Sequence, residues 1–176
     1  MSPIVHAELS WLLAQGLTRR RDRILVSCAG VAPDLDGLSL LAGLDAYGKY
    51  HHFLTHGLAA AAVCAAICGA LARSRLAVAA LAFTAFHLHL LCDLAGSGPG
   101  WPILYWGPFA RTEWYWSGQW PLSSWQNGVI GAVATLVCFG MALPLGRTPA
   151  EWISTRLDGV VVRTIRRRFG RLAPVE

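Results

Sequence analysis

The sequence predicts an all-α integral membrane protein, a bundle of about four spans followed by a basic amphipathic helix. Three observations carry that expectation. Hydrophobic residues make up 55% of the 176 residues and charged residues only 14%, against about 25% charged in an ordinary soluble domain. Apolar stretches approaching a bilayer's width recur along the chain. Every basic residue except Lys49 is an arginine, and the arginines cluster between those stretches: Arg19–Arg23, Arg73 and Arg75, and Arg147 to Arg171. The length suits one compact domain.

Taken in order, Ser2-Pro3 reads as a helix start, with Ser as cap and Pro at the first helical position. That helix would reach about Gly16 and carry His6 and Glu8. It is short for a full span and suits a re-entrant or interfacial position equally. From Ile24 to Leu44 runs an apolar stretch interrupted by Pro33-Asp34-Leu35-Asp36-Gly37. Carboxylates at membrane depth are expensive unless buried in protein or lining a wet cavity, so this break calls for a functional explanation. Phe53 to Ala72 is the second expected span and Leu76 to Ala95 the third, the latter carrying His87, His89 and Asp93 near its far end. Gly96 to Trp125 reads as a loop rich in Gly, Pro and aromatics, and it holds six of the eight tryptophans, as expected of a segment at headgroup level. Asn127 to Leu145 is the last expected span. Thr148-Pro149-Ala150-Glu151 then reads as a capping box opening the basic amphipathic helix. The expected division is a membrane-embedded metal-site domain over 1–146 and a basic cytoplasmic tail over 147–176.

Arginine-rich connections prefer the cytoplasm, which puts Arg19–Arg23, the Arg73/Arg75 turn and the C-terminal tail inside. The four spans then alternate without contradiction. His51, His52 and His56 fall at the outer start of one helix, and His87, His89 and Asp93 at the outer end of the next. The potential ligands therefore converge on the outer face. The expected partners are membrane lipids and a small-molecule or lipid substrate, with no nucleic acid. The five cysteines lie in apolar stretches without paired spacing and read as small buried apolar residues rather than a disulfide framework. No Ser sits in a nucleophile-elbow motif, so serine catalysis has little support.

All six histidines precede residue 90. Histidine with carboxylate suits a divalent ion, zinc first and manganese or iron as alternatives. His52 and His56 are four apart, as are His89 and Asp93, a spacing that puts both members of a pair on one helix face. His51 and His56 work together if His51 sits just before the helix. Asp34 and Asp36 can both point inward only where Pro33 breaks the helix. Singly, each has a plainer explanation: His6 as a capping residue, Pro33–Asp36 as a helix start, His51-His52 as interfacial groups. His87 and His89 face nearly opposite sides of a helix, which favours His89. Asp93, in an apolar run with a histidine one turn away, is the hardest to explain without function. The expected ligand set is His6, Asp34, Asp36, His51, His56, His89 and Asp93, with the roles of His52 and His87 open.

The ordered set of His6, Pro33-Asp34-Leu35-Asp36, His51-His52-Phe53-Leu54-Thr55-His56, His89-Leu90-Leu91-Cys92-Asp93 and Pro108-Phe109 resembles the YdjM-type family over roughly residues 1 to 145. That family is described as bacterial inner-membrane metal-dependent hydrolases. The sequence departs from the family's usual His-Arg-Gly-x-Thr-His, with His52-Phe53 in place of Arg-Gly. The resemblance implies a multi-pass inner-membrane location and a hydrolytic reaction assisted by one or two ions. On that expectation His51, His56, His89 and Asp93 form the ligand core. Asp34 and Asp36 complete it or bridge two ions, His6 is peripheral, and Asp36 is the candidate general base. A site at the outer interface suggests a lipid-like or phosphodiester substrate, with Arg111 available to pair with a phosphate or to anchor at the headgroups. Metal binding or transport without hydrolysis is the alternative, and a structural metal a further one.

Overall fold

A computed structural model describes residues 1–53 and 55–170. Residues 171–176 of the expected basic tail lie outside the described residues. Among those described there are seven α-helices and no named strand.

Helix α1 (Pro3–Leu13) begins at the expected proline and ends in a 3-10 turn, Ala14–Gly16. Helix α2 (Arg20–Val31) stops two residues before Pro33. A proline supplies no N–H and clashes with the preceding turn, so the chain continues as a 3-10 run, Ala32–Ala42. Gly43, at φ 108°, turns it into the short α3 (Leu44–Tyr50). Residues 51–53 and 55–57 are not helical, and α4 (Leu58–Leu71) begins five residues later than the start of the expected second span. His52 adopts a left-handed backbone, φ 65°, which a helix running on from α3 cannot accommodate, and Thr55 Oγ1 is held by the Pro33 carbonyl instead. Helix α5 (Arg75–Gly96) is the longest. At 1.5 Å per residue it reaches about 33 Å, enough to cross a hydrocarbon core. The Trp-rich segment is a loop held by one bridge, Ile103 to Trp114. Helix α6 (Trp125–Gly140) follows.

Two segments are long and apolar enough to cross a membrane, Arg20–Ala42 and Arg75–Gly96, and Leu58–Leu71 and Trp125–Gly140 are shorter apolar helices. Small side chains are buried where α2, α4 and α5 meet: Ala29, Ala65, Cys68, Ala82 and Ala85 around Val26 and Val78. Large apolar ones face outward, including Val63, Ile67 and Leu71 on α4 and Val129, Val133 and Leu136 on α6. A water-soluble bundle rarely exposes a surface of this kind. Helices packed in lipid use small residues at their contacts. The closest approach is between α1 and α2 at Gly30, where a Cβ would fall 1.8 Å from Ser10 Oγ.

The stretch Thr148–Glu151 forms a 3-10 turn, Pro149–Trp152, and α7 starts afterwards at Thr155 behind a Ser154 cap. The expected capping box does not open the amphipathic helix. Glu151 turns inward instead. It accepts from Arg23 Nε and Trp11 Nε1, each at 2.7 Å, and its second oxygen takes Arg23 Nη2. Arg147 donates to the carbonyls of Gln15 and Leu17. Asp22 accepts from the backbone N–H groups of Arg73 and Ser74. These contacts tie the arginine-bearing ends of α1, α2, α5 and the C-terminal segment together. The histidines lie at the other end of the same helices.

Candidate metal centre

Four elements bring the site together. Near its start α1 supplies His6, and the 3-10 run after Pro33 supplies Asp34 and Asp36. The connection between α3 and α4 supplies His51, His52 and His56, and the last two turns of α5 supply His89 and Asp93. Pro33 makes the second contribution possible: the carbonyl of Pro33 accepts from Thr55 Oγ1 at 2.5 Å, which pins the histidine segment to the break in the helix.

Asp34, His56, His89 and Asp93 each offer an atom to one point, with all four atoms within 4.8 Å of one another. His89 Nε2 lies 2.9 Å from Asp93 Oδ2 and 3.6 Å from Asp34 Oδ1. His56 Nε2 lies 3.6 Å from Asp93 Oδ2. Two donors on a tetrahedral zinc, each about 2.0–2.1 Å from it, stand about 3.3 Å apart, so these separations suit the edges of a coordination polyhedron. His56 Nε2, His89 Nε2 and Asp34 Oδ2 are buried and make no hydrogen bond. Such atoms carry a desolvation cost that a shared cation would remove.

The outward nitrogens of these rings are fixed. His89 Nδ1 is 2.8 Å from the carbonyl oxygen of Gly30, which can only accept. The proton is therefore on Nδ1, and the lone pair of Nε2 faces the cluster. His56 Nδ1 is 2.9 Å from Asp36 Oδ2, and His51 Nδ1 is 2.8 Å from Asp36 Oδ1. A carboxylate behind a ring nitrogen is the usual arrangement that orients a metal-binding imidazole. Asp36 is buried, and both its oxygens are engaged by imidazoles. It does not line the cavity described below. His51 is turned toward Asp36 and stacks on Tyr47 at 4.5 Å, so it stands beside the group of four rather than within it.

Two further histidines adjoin the cluster. His6 stacks on His89 with ring centroids 3.7 Å apart, its Nε2 is 3.3 Å from Asp93 Oδ1, and neither of its nitrogens makes a hydrogen bond. His52, whose role the sequence left open, is buried with Nε2 3.7 Å from Asp93 Oδ2. Burial pushes its pKa down to about 3, so the ring is neutral at physiological pH. Burial opposes charge on His56 as well, but hydrogen bonding to Asp36 and the charges of Asp36 and Asp93 outweigh it and push the pKa up to about 9. The carboxylates thus favour positive charge at this spot, the condition a divalent cation would meet. His87 is turned away and contacts Tyr105 Oη at 2.9 Å. The Met1 amine lies 2.5 Å from Asp93 Oδ1.

A cavity of about 730 Å³ opens onto the cluster, with Asp34, His51, His52 and Asp93 on one side and Pro3, Val5, Tyr47, Trp101 and Leu122 among its other walls. Arg111 is exposed and does not line it. The arrangement can hold a cation next to a space open to a small molecule.

An apolar helical bundle with a buried histidine–aspartate cluster that could bind a metal ion defines the class: a helical membrane protein with a candidate metal centre. Residues 1–161 match the YdjM inner membrane protein family, and the chain belongs to that family. No curated protein and no solved structure matches it.

Proposed function

We propose that the protein is a membrane-bound, metal-dependent hydrolase acting on a lipid-like substrate, a phosphodiester among them, at the outer interface of the inner membrane. The observation that carries this reading is the set of buried, unbonded Nε2 and carboxylate atoms converging beside an open cavity. On this reading α2 with its 3-10 extension, α4, α5 and α6 form four spans over 1–146, and 147–176 is cytoplasmic. The arginine-rich end lies inside and the histidine end outside, as the distribution of arginines favours.

His56, His89, Asp34 and Asp93 would hold the ion, zinc before manganese or iron, with His6 and His52 close enough to admit a second. A divalent ion held there would supply a bound water of lowered pKa and would polarise a phosphoryl or acyl oxygen. The chain's own residues do the rest. Asp36 and the Gly30 carbonyl fix the imidazole tautomers. Asp34 lines the cavity, so whichever of its oxygens the ion left free would be placed to accept a proton from a water there. Trp101, Tyr47 and Leu122 offer an apolar wall to a lipid-like substrate. Metal binding or transport without hydrolysis is the second reading; beyond the site the packed core of α2, α4 and α5 holds no imidazole or carboxylate, only the thiols of Cys64 and Cys68.

The test is elemental analysis of detergent-purified protein beside His56→Ala and Asp93→Ala, followed by assays on phosphodiester and ester lipids in mixed micelles. Near-stoichiometric metal lost in both variants, together with turnover lost in parallel, is the expected result. No metal retained or taken up would end the hydrolase reading.

A further inference from the structure

Helix α7 (Thr155–Phe169) is the most strongly amphipathic segment of the chain and has no part in the metal centre. Leu157, Val161, Ile165 and Phe169 recur every four residues and form one stripe. Val162 beside it is buried in the fold, but Leu157, Val160 and Phe169 are exposed, as is Ile153 just before the helix. Arg156, Arg163 and Arg167 lie together on the opposite face, exposed and without a hydrogen-bond or ion-pair partner among the described residues. Arg166 is different. It donates to the carbonyls of Ala142 and Leu143 just past the end of α6. Asp158, the helix's one acid, accepts from Thr148 N and Oγ1. One arginine and the one aspartate thus fasten α7 to the bundle, and four arginines are left over: the three on the polar face, and Arg168, exposed beside Leu157 and Val161.

We propose that α7 is a docking surface for anionic phospholipid, seated on the bilayer next to the arginine-bearing end of the bundle. The chemistry favours a bilayer over other polyanions for two reasons. The exposed apolar side chains Leu157, Val160 and Phe169 on the same helix have no use on a nucleic acid but insert readily at the headgroup boundary. The helix is also fastened just beyond the last apolar helix, at the end that gathers Arg19–Arg23, Arg73 and Arg75, which places it level with a membrane surface. Each basic residue near an anionic surface contributes about fivefold in affinity, so three unpaired arginines supply about a hundredfold preference over a zwitterionic surface.

The experiment is amide hydrogen exchange over 155–169 in the full-length protein, reconstituted in nanodiscs of phosphatidylcholine or of phosphatidylcholine mixed with phosphatidylglycerol. Exchange is expected to slow at least about tenfold in the anionic discs. It should return to the zwitterionic rate at about 1 M salt, where the Debye length is about 3 Å. The triple variant R156Q/R163Q/R167Q should remove most of the lipid dependence, leaving at most the about fivefold share of Arg168, while keeping wild-type metal content and thermal stability, because those three side chains make no hydrogen bond or ion pair with another described residue. Equal exchange in the two lipids would overturn the proposal, whether slow in both or fast in both. Protection that appears only on adding DNA or RNA would also overturn it.

Discussion

Replacing Asp36 by Asn is the sharpest probe of the candidate site. One carboxylate oxygen holds His51 Nδ1 and the other holds His56 Nδ1, at 2.8 and 2.9 Å. An asparagine keeps one acceptor and turns the other position into a donor. If the new amide faces His56, its ring must accept there, the proton moves to Nε2, and the nitrogen aimed at the cluster can no longer bind a cation. If it faces His51, His56 keeps its hydrogen bond but loses the charge behind it. Loss of such an orienting partner typically weakens metal binding about 10- to 100-fold, or about 1.4–2.7 kcal/mol. Of the two rings only His56 offers a nitrogen to the cluster, so the loss should fall within that range. The assay is competition with a chelator of known affinity on detergent-purified protein, wild type beside variant. An affinity within about threefold of wild type would refute the orienting role, because even the mildest outer-shell losses exceed that. Normal affinity with turnover abolished would instead make Asp36 the general base.

Gly30→Ala places a methyl 1.8 Å from Ser10 Oγ and 2.6 Å from Ser10 Cβ; it should destabilise by about 1–3 kcal/mol through overpacking, read as a lower Tm in detergent. Ser10→Gly in the same chain removes both atoms and should recover most of that loss. Glu151→Ala leaves the Arg23 guanidinium buried without its counter-charge and Trp11 Nε1 without its acceptor, and a loss of about 3–5 kcal/mol is expected. That change should spare metal binding in whatever fraction stays folded, since the pair lies at the far end of the bundle. Stripping metal with a chelator should lower Tm, and re-addition at 100 times Kd should restore about 2.7 kcal/mol; a Tm indifferent to metal would argue that the cluster binds none.

Much of the site was legible because charge and imidazole are so costly in an apolar chain. His89 and Asp93, four apart on an apolar helix, do meet, at 2.9 Å. Pro33 does end α2 and let the following aspartates turn toward the histidines. What stayed hidden depended on contacts with no local signature. His52 reaches Asp93 only because its backbone is left-handed, in a segment that apolar periodicity assigns to a helix. The division of labour between Asp34 and Asp36 follows from which one the histidine segment folds over, and two residues of separation cannot tell them apart. Thr148–Glu151 has the local pattern of a capping box, yet the partner of Glu151 is 128 residues away, and a buried guanidinium outweighs an exposed helix start. The Gly30 carbonyl that sets the tautomer of His89 leaves no mark in a sequence at all, since every residue has one.

The pairing of Arg23 with Glu151 also sets an order of events in time. Chains are made from the N-terminus, and earlier parts fold while later parts are still being made. Arg23 and Trp11 enter the membrane region long before their acceptor exists. Until residue 151 emerges, that guanidinium must stay hydrated, so this end of the bundle cannot close, even though the helices bearing the histidines are already complete. A ribosome that stopped within α6 would leave a chain with every candidate ligand in place and an open, wet cleft at the other end. Synthesis of the turn Pro149–Trp152 is thus the step that lets this end of the bundle close.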